Sequence, residues 1–207
     1  MTERGGRWQN AVFASNNAGK LAEVRKILAE FGMTVVPQSE FAVPAVAEDG
    51  ATFAENALIK ARHAALATGL PAIADDSGLI AQALGGAPGV HSARYAGDGA
   101  TDAQNIDKLL QQLAGVQGAL RAAAFHCAAV LLPPEGEPLL AQGSWHGLIA
   151  HARHGSAGFG YDPVFLDPEL GRTAAQMSST EKNARSHRGR AFRQLAEKMR
   201  ALPRPGT

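Results

Sequence analysis

Two adjacent carboxylates, Asp75 and Asp76, come directly after the apolar run Ala72-Ile73-Ala74. Ionised carboxylates next to a buried strand are costly unless they are paired or bind a metal ion. Mg²⁺ is usually held by one or two carboxylates together with substrate phosphates. Because side chains alternate along a strand, the two carboxylates are expected to point to opposite sides. One would then face a site at the strand end while the other caps a turn at Ser77-Gly78. An Asx-type turn with no ligand is the alternative.

A polar loop, Ser15-Asn16-Asn17-Ala18-Gly19-Lys20, separates the apolar run Ala11–Ala14 from an amphipathic pattern that begins at Leu21. Backbone N–H groups at a helix start favour anions, and a lysine there adds positive charge. The loop does not match the Walker A motif, because Ala14 and Leu21 stand where that motif has glycine and Ser or Thr. Phosphate binding and a plain strand-to-helix turn both fit these residues.

Further acidic and basic side chains lie between these two segments. Glu48, Asp49 and Glu55 are additional carboxylates, although Glu55 completes a capping box with Thr52 and the other two can face solvent. Lys60 is on the same predicted helix, where most lysines are solvated surface residues. Local chemistry alone therefore assigns none of them to a site.

The C-terminal third contains aromatic and basic candidates. A glycine-rich stretch, residues 155–163, surrounds Phe159 and Tyr161, which can stack on a base or anchor the loop. Arg188 can donate hydrogen bonds to a carbonyl oxygen of a ligand. Gly189 beside it costs a helix about 1 kcal/mol relative to alanine, which indicates a bend or a close approach.

The elements that must position these residues alternate early in the chain between strands and helices. Helices are expected from Leu21 to Phe31, from the Thr52 capping box to Thr68, and from Thr101 onwards. A last helix is expected from the Ser178–Glu181 cap to about Leu202, and it would contain residues 185–188. Strands are expected at residues 11–14, 35–36, 72–74 and 164–165. Apolar runs at 119–132 and 138–150, separated by Pro133-Pro134-Glu135-Gly136-Glu137, predict a β-hairpin. The pattern predicts an α/β fold with a mixed sheet.

Composition excludes several classes of protein. The chain has 207 residues with 20 basic and 19 acidic side chains, a net charge of +1, which argues against a nonspecific nucleic-acid or membrane binder. No apolar run approaches the roughly 20 residues of a membrane helix, and the polar segment 1–10 does not resemble a signal peptide, so a cytoplasmic protein is expected. The single cysteine, Cys127, lies in an apolar run and is expected in the core. The histidines show no zinc-site spacing.

Six segments, in this order, resemble the inosine/xanthosine triphosphate pyrophosphatase family. They are Ser15–Lys20; Thr52-Phe53-Ala54-Glu55-Asn56-Ala57 with Lys60-Ala61; Ala74-Asp75-Asp76-Ser77-Gly78-Leu79; Gly85-Gly86-Ala87-Pro88-Gly89-Val90 with Ser92-Ala93-Arg94-Tyr95; Gly158-Phe159-Gly160-Tyr161-Asp162-Pro163; and Ser186-His187-Arg188-Gly189. Their order and approximate spacing match the family from residue 10 to about 200. The first segment departs from the usual Thr-Gly-Asn, because Ser15 keeps the hydroxyl while Asn16 replaces the glycine.

The resemblance implies hydrolysis of ITP, dITP and XTP to the monophosphate and pyrophosphate. Such a reaction removes deaminated purines before they are incorporated into DNA or RNA. The resemblance also implies a single domain, residues 1–207, with an elongated two-lobed mixed α/β fold around a central nucleotide-binding cleft. The implied protein is a cytoplasmic, Mg²⁺-dependent homodimer that binds a purine nucleoside triphosphate and neither nucleic acid nor membrane.

Residue roles follow from the resemblance for the phosphate end of the substrate. The triphosphate would be held by Ser15, Asn16, Asn17, Ala18, Gly19 and Lys20, with a second positive charge from Lys60. Asp76 matches the catalytic acid/base and Mg²⁺ position, and Asp75 is the less favoured member of the pair. Glu48 is the weaker choice for a second metal contact.

For the base end, the residues implied to line the nucleotide pocket are Ser77, Phe159, Gly160, Tyr161, Asp162 and Lys182. Phe159 would stack on the base, and His187 and Arg188 would donate to its 6-keto group. A donor placed there meets an acceptor in hypoxanthine and an amino donor in adenine, so adenine would leave a buried group unpaired. Two other functions compete with this one: a non-catalytic nucleotide-binding module on the same scaffold, and a pyrophosphatase acting on modified pyrimidine nucleotides.

Overall fold

The computed structural model describes residues 10–201. The polar segment before Asn10 and the expected helix end at Leu202 therefore lie outside the described residues. The strands are β1 (Asn10–Phe13), β2 (Thr34–Pro37), β3 (Ala72–Ala81), β4 (Ala122–Leu132), β5 (Leu139–Ile149), β6 (Phe165–Asp167) and β7 (Arg172–Thr173). The α-helices are α1 (Ala18–Ala29), α2 (Phe53–Thr68), α3 (Asp102–Gln112), α4 (Ser179–Arg185) and α5 (His187–Ala201).

Within residues 10–201 the strands form one seven-stranded sheet in the order β2-β1-β3-β4-β5-β6-β7. Strand β1 pairs parallel with both neighbours, with Val12 opposite Val36 on β2 and Ala72 on β3. The pairs β5–β6 and β6–β7 are antiparallel. Strands β4 and β5 are adjacent, and only residues 133–138 join them. Because a parallel pair needs a crossover of about a dozen residues or more, β4 and β5 form the expected hairpin. The predicted α/β fold with a mixed sheet is confirmed.

The chain divides into two compact units. The first unit comprises the described residues up to Asp76, Cys127–Gly143, and the residues from Arg188 onwards. The second unit comprises Ser77–His126 and Ser144–His187. The boundaries fall inside β3, β4 and β5 and at the start of α5, so the chain changes unit within regular elements.

In the first unit, helices cover both faces of the sheet. One apolar cluster joins Phe13 of β1 and Ile73 of β3 to buried residues of α1 and α5. A second cluster joins Val12 of β1 and Ala74 of β3 to a row of buried alanines on α2. Successive residues of a strand alternate between faces, so β3 presents odd-numbered positions to α1 and α5 and even-numbered positions to α2. Cys127 lies in the first cluster with no exposed surface, as expected, and burial raises the pKa of its thiol.

In the second unit, the core is built around aromatic side chains. The Phe125 and Phe165 rings lie 4.5 Å apart between centroids, and the Trp145 and Phe165 rings 4.9 Å apart. Leu109 of α3 packs into the same cluster. Within residues 10–201, no helix is long and apolar enough to cross a membrane.

One expectation was wrong at β3. The strand does not end before Asp75 but continues through Ser77-Gly78 to Ala81, so no Asx turn forms there. Both carboxylates are ion-paired with lysine or arginine side chains. Pairing offsets the cost of burying them, and the backbone therefore remains in the sheet.

A second expectation was wrong at the C-terminus. Ser178 and Glu181 do form a capping box, but the helix they open ends at Arg185. Ser186 takes an extended backbone conformation, with φ −65° and ψ 156°, and a separate helix, α5, begins at His187. Serine is a preferred residue at such a break because its side chain competes with helical hydrogen bonding. The bend suggested by Gly189 is thus a helix break three residues earlier.

Candidate active site

The loop before α1 is shaped by its own polar side chains. Asn17 is the N-cap of α1, and its Oδ1 accepts a hydrogen bond from the Lys20 N–H at 2.9 Å. Ser15 Oγ accepts from the Asn17 N–H at 3.2 Å, and Asn16 Oδ1 accepts from Gln38 Nε2 at 3.0 Å. The predicted strand-to-helix turn is therefore present. It places a helix N-terminus, which favours anions, directly after β1.

Asp75 lies at the centre of an ion-pair network in the first unit. Its Oδ2 is 3.1 Å from Lys20 Nζ and 3.2 Å from Arg188 Nη2. Arg188 Nη1 also donates to Glu23 Oε2 at 2.6 Å. Asp75 is fully buried and Arg188 is 2% exposed. Burial alone would raise the pKa of Asp75, but Lys20, Arg188 and Lys60 outweigh it and hold that pKa well below the usual range. Asp75 is therefore a permanent anion that holds two cations.

Asp76 has a different environment, although it is the next residue. Its Oδ1 accepts from Lys60 Nζ at 3.1 Å, and its Oδ2 accepts from Asn56 Nδ2 at 3.3 Å. Burial raises the pKa of Asp76, and the attraction of Lys60 and Lys20 only partly offsets this effect. Two adjacent carboxylates thus have pKa values shifted in opposite directions. Asp76 therefore has the higher proton affinity of the two.

The alternation of β3 accounts for the difference between the two carboxylates. Asp75 is on the face covered by α1 and α5, which supply Lys20 and Arg188. Asp76 is on the opposite face, covered by α2, which supplies Lys60. The expectation that the two side chains point to opposite sides is confirmed.

Lys60 is not a solvated surface lysine. Its side chain is 12% exposed, and its Nζ lies 2.7 Å from Glu48 Oε2 as well as 3.1 Å from Asp76 Oδ1. Burial alone would lower the pKa of Lys60, but Asp76, Asp75 and Glu48 outweigh it and raise that pKa. Lys60 is therefore a fixed positive charge between two carboxylates.

The same two carboxylates have the chemistry of a magnesium site. Glu48 and Asp76 each present an oxygen to one ammonium group, so a single cation contacts both. Oxygen ligands from one or two carboxylates, completed by phosphates and water, are what Mg²⁺ prefers. Among residues 10–201 there is no group of three or more His, Cys, Asp or Glu residues that could hold a metal ion. The donor set therefore fits a cation that takes its remaining ligands from a substrate.

In the second unit, Lys182, Asp162 and Phe159 form a compact group. Lys182 Nζ pairs with Asp162 Oδ2 and lies 4.7 Å from the centroid of the Phe159 ring. Asp162 Oδ2 also accepts from the Phe159 N–H at 2.9 Å. Gly158 has φ +79°, and a Cβ at this position would overlap Asp162 Oδ2. Position 158 must therefore be glycine if the loop is to keep this form.

The neighbouring loop residues serve as anchors. Tyr161 is buried, and its hydroxyl donates to the Ser92 carbonyl at 2.9 Å. Gly160 N–H donates to Asp102 Oδ2 at the start of α3. Tyr161 could either stack on a base or anchor the loop, and the structure shows that it anchors the loop. Its role in the nucleotide pocket stays a prediction.

The remaining predicted residues are distributed over both units. Ser77, half-buried, follows Asp76 in β3 and belongs to the second unit. The His187 ring stacks on Phe125 with centroids 4.7 Å apart, also in the second unit. Arg188 is in the first unit with Asp75 and Glu23. Base contacts by His187 and Arg188 stay predictions.

Two residues of this network were not foreseen as site residues. Glu23 pairs with Arg188, and Asn56 bonds to Asp76. Asn56 had a detectable signal, because it is four residues before Lys60 and eight before Ala64 and therefore lies on the same side of α2. Nothing in the sequence near Glu23 indicates its partner, which is 165 residues away.

The Ham1 family model matches residues 11–198, which include parts of both units. The chain belongs to the Ham1 family. A relative from Pectobacterium atrosepticum, named dITP/XTP pyrophosphatase, is 53% identical over 194 residues, covering 93% of this chain and 98% of its own. A Methylococcus capsulatus relative of the same name is 53% identical over 193 residues, covering 92% of this chain and 96% of its own. The family resemblance of the six segments is thereby confirmed.

Two solved structures resemble this chain in fold as well as in sequence. A HAM1 protein from Coxiella burnetii is 50% identical with a TM-score of 0.83, covering 92% of this chain and 98% of that chain. A nucleoside-triphosphatase / dITP/XTP pyrophosphatase from Mycobacterium abscessus is 45% identical with a TM-score of 0.71, covering 90% and 97%. Each structure covers at least 90% of this chain, so the likeness in fold extends over most of it.

Proposed function

We propose that this Ham1 protein hydrolyses non-standard purine nucleoside triphosphates, namely ITP, dITP and XTP, to the monophosphate and pyrophosphate. Its role would be to remove deaminated purines from the nucleotide pool before they enter DNA or RNA. The observation that carries this proposal is the pair Asp75–Asp76, in which adjacent carboxylates hold different lysines and have opposite pKa shifts. The relatives named dITP/XTP pyrophosphatase support the choice of substrate.

The phosphate groups would bind at the N-terminus of α1. Ser15, Asn16, Asn17, Ala18 and Gly19 form this turn, and small side chains at the first two helical positions leave backbone N–H groups accessible. Lys20 and Lys60 would neutralise phosphate charge, each oriented by its own aspartate. Fixed cations of this kind stabilise charge that develops in the transition state, and they need no reorganisation during the reaction.

Asp76 would act as the general base. Burial raises the pKa of its carboxyl, which favours accepting a proton from the water that attacks the α-phosphorus. Lys60 and Asn56 hold its two oxygens in place. Asp75 would remain ionised and orient Lys20. Mg²⁺, held by Asp76 and Glu48 together with phosphate oxygens, would supply a Lewis acid that spreads the negative charge.

The side chains proposed to recognise the base are aromatic and basic. Phe159 offers an aromatic face, and Lys182, fixed by Asp162, offers a buried cation beside it. His187 and Arg188 would donate to the 6-keto oxygen, and Ser77, Gly160 and Tyr161 would shape the pocket. A site built from donors rejects adenine because its 6-amino group is itself a donor.

The protein is further proposed to act as a homodimer in the cytoplasm on free nucleotides, with no nucleic acid or membrane as partner. The near-balance of 20 basic and 19 acidic residues supports a ligand bound by local charge. Gel filtration with light scattering at several concentrations tests the oligomeric state.

A substrate panel tests the proposed function. Pyrophosphate release is measured with ITP, dITP, XTP, GTP, ATP and dUTP, with Mg²⁺ and with EDTA. We expect ITP, dITP and XTP to exceed ATP by a large factor in kcat/KM, and EDTA to abolish turnover. Comparable rates for ATP would refute the proposal. Tight ITP binding without hydrolysis under any divalent metal would instead indicate a non-catalytic module, and a preference for dUTP would indicate a pyrimidine-directed enzyme.

The base-reading role of Arg188 has its own test. Losing a hydrogen bond from a charged donor costs about 1.5–3 kcal/mol, or roughly 10- to 100-fold, so Arg188→Ala should lower the ITP-to-ATP ratio of kcat/KM by that factor. The ratio is independent of how much enzyme is folded, which matters because Arg188 also pairs with Asp75. Glu23→Gln, which removes the charge of the other acidic partner of Arg188 but keeps an acceptor, is the control and should leave the ratio unchanged. An unchanged ratio in Arg188→Ala would contradict base reading.

A further inference from the structure

We propose that Asn56 is a positioning residue that joins the segment carrying Glu48 to the carboxylate of Asp76, so that both acidic side chains are held for one cation. This inference rests on the proposed function. Asn56 is 2% exposed and belongs to the first unit, as do both of its partners. Its side-chain amide donates one hydrogen bond and accepts another, and the two partners belong to different parts of the acidic site.

The first bond fixes the carboxylate. Asn56 Nδ2 donates to Asp76 Oδ2 at 3.3 Å, while Lys60 donates to the other oxygen, Oδ1. The two donors come from the same face of α2, because Asn56 and Lys60 are four residues apart. Because each carboxylate oxygen of Asp76 accepts from one of these donors, the rotation of the carboxylate about its Cβ–Cγ bond is fixed.

The second bond fixes the segment before α2. Asn56 Oδ1 accepts from the Gly50 N–H at 2.8 Å. A Cβ at Gly50 would lie 2.7 Å from Glu55 Cβ and 2.8 Å from Asn56 Oδ1, so the segment approaches the helix too closely for any larger residue. Glu48, two residues earlier, is thereby held where its Oε2 reaches Lys60. The bonds on both sides also fix the orientation of the amide, since only Nδ2 can donate to a carboxylate.

The chain contains a matched control for Asn56. Asn105 occupies the same position relative to its helix cap: Thr101 and Gln104 form a capping box before Asn105, as Thr52 and Glu55 do before Asn56. Asn105 is also 2% exposed, with Oδ1 accepting from the Ala96 N–H at 2.7 Å and Nδ2 donating to the Ala93 carbonyl at 3.2 Å. Its partners are backbone groups only. Alanine at position 56 or 105 therefore removes similar buried packing, but only the change at position 56 removes a hydrogen bond to a carboxylate.

The experiment compares Asn56→Ala, Asn56→Asp, Gly50→Ala and Asn105→Ala in the full-length protein. Residues that orient metal ligands usually change metal affinity or activity by about 10- to 100-fold, so Asn56→Ala should lower kcat for ITP by that factor. KM should stay close to the wild-type value, because Asn56 contacts a carboxylate and not the substrate. Asn56→Asp keeps the acceptor for Gly50 and is isosteric, but it cannot donate to Asp76. It should therefore lose kcat as Asn56→Ala does, and Gly50→Ala should show a partial loss. Asn105→Ala should keep the wild-type kcat.

A second readout does not depend on turnover. Binding of Mn²⁺ alone is titrated by the electron paramagnetic resonance signal of the free ion, and Asn56→Ala should raise the dissociation constant at least about tenfold while Asn105→Ala does not. The inference is overturned if Asn56→Ala and Asn105→Ala agree in both kcat and Mn²⁺ affinity, or if Asn56→Asp retains the wild-type kcat. If the wild-type protein hydrolyses no nucleotide in the panel, the proposed function fails, and the Mn²⁺ titration still decides the role of Asn56.

Discussion

The Nζ of Lys20 lies 3.1 Å from Oδ2 of Asp75, a carboxylate with no exposed surface. The lysine follows β1 and the aspartate is in the adjacent strand β3, so the sheet itself determines their separation. A lysine held in this way keeps its ammonium near the N-terminus of α1 before any ligand arrives. Because the side chain is already ordered, a phosphate that meets it does not bear the full entropic cost of fixing it.

Asp75→Asn should destabilise the protein strongly. Removing one partner of a buried ion pair leaves uncompensated charge and typically costs about 3–5 kcal/mol, and here both Lys20 and Arg188 lose their shared anion. Urea denaturation at pH 7 measures the free energy of unfolding. Asp107→Asn is the control, since its pair with Arg153 is exposed and such pairs contribute up to about 1 kcal/mol. Equal losses in the two variants would contradict the assigned role of Asp75.

Asp76→Asn should abolish turnover while the protein stays folded. Loss of the proposed general base should lower the rate by about 10²- to 10⁴-fold, and the amide would also lack the charge of the proposed metal ligand. Steady-state kinetics with ITP give kcat, and circular dichroism with urea denaturation reports the folded state. Asp107→Asn again serves as the control and should retain activity. Normal turnover in Asp76→Asn would refute the assignment of the base.

Phe159→Ala should weaken nucleotide binding because it removes stacking on the base, while binding of the phosphate groups should not change. Stacking of a base on an aromatic ring contributes about 1–3 kcal/mol, so KM for ITP should rise by roughly 5- to 150-fold. Inorganic tripolyphosphate has no base, and its inhibition constant should not change. Parallel losses for ITP and tripolyphosphate would mean that the substitution disrupts the loop as a whole and that stacking is not the cause.

Glu181→Gln should flatten the acid dependence of stability. Hydrogen bonds from Arg172 and from the Ser178 N–H and hydroxyl lower the pKa of Glu181 to about 2. The pKa of a glutamate in the unfolded chain is about 4.3. Glu181 therefore contributes stability that is present above this pH and is lost as the pH falls towards about 2. The difference in unfolding free energy between wild type and Glu181→Gln should therefore shrink over this window.

Denaturation at pH 6, 4 and 2.5 measures that difference. Arg172→Ala removes the largest cause of the shift and leaves the two contacts of Ser178, so its profile should fall between the other two. A constant difference between wild type and Glu181→Gln at all three pH values would contradict the lowered pKa.

Local patterns in the sequence determined much of the secondary structure. The capping boxes at Thr52, Thr101 and Ser178 are all present, and α2 ends at Thr68 as expected, with Gly69 as its C-cap at φ +66°. These features depend on hydrogen bonds between residues at most four positions apart, so a short window of sequence contains all the partners. The alternation that puts Asp75 and Asp76 on opposite faces is equally local.

The order of six motifs determined the family, but the tertiary structure decided what the charged residues contact. Asp75 continues a strand because Lys20 and Arg188 reach it, and Arg188 is 113 residues away in sequence. From the sequence alone, Lys60 is indistinguishable from an ordinary lysine on a helix surface. The structure shows that its Nζ contacts both Glu48 and Asp76. Electrostatic pairing depends on distance in space and on burial, and a sequence pattern specifies neither for residues so far apart. The sequence by itself therefore established most of the secondary-structure elements and the likeness to known proteins. The packing of β3 against α1, α2 and α5 decided which cations each carboxylate pairs with and in which direction its pKa shifts.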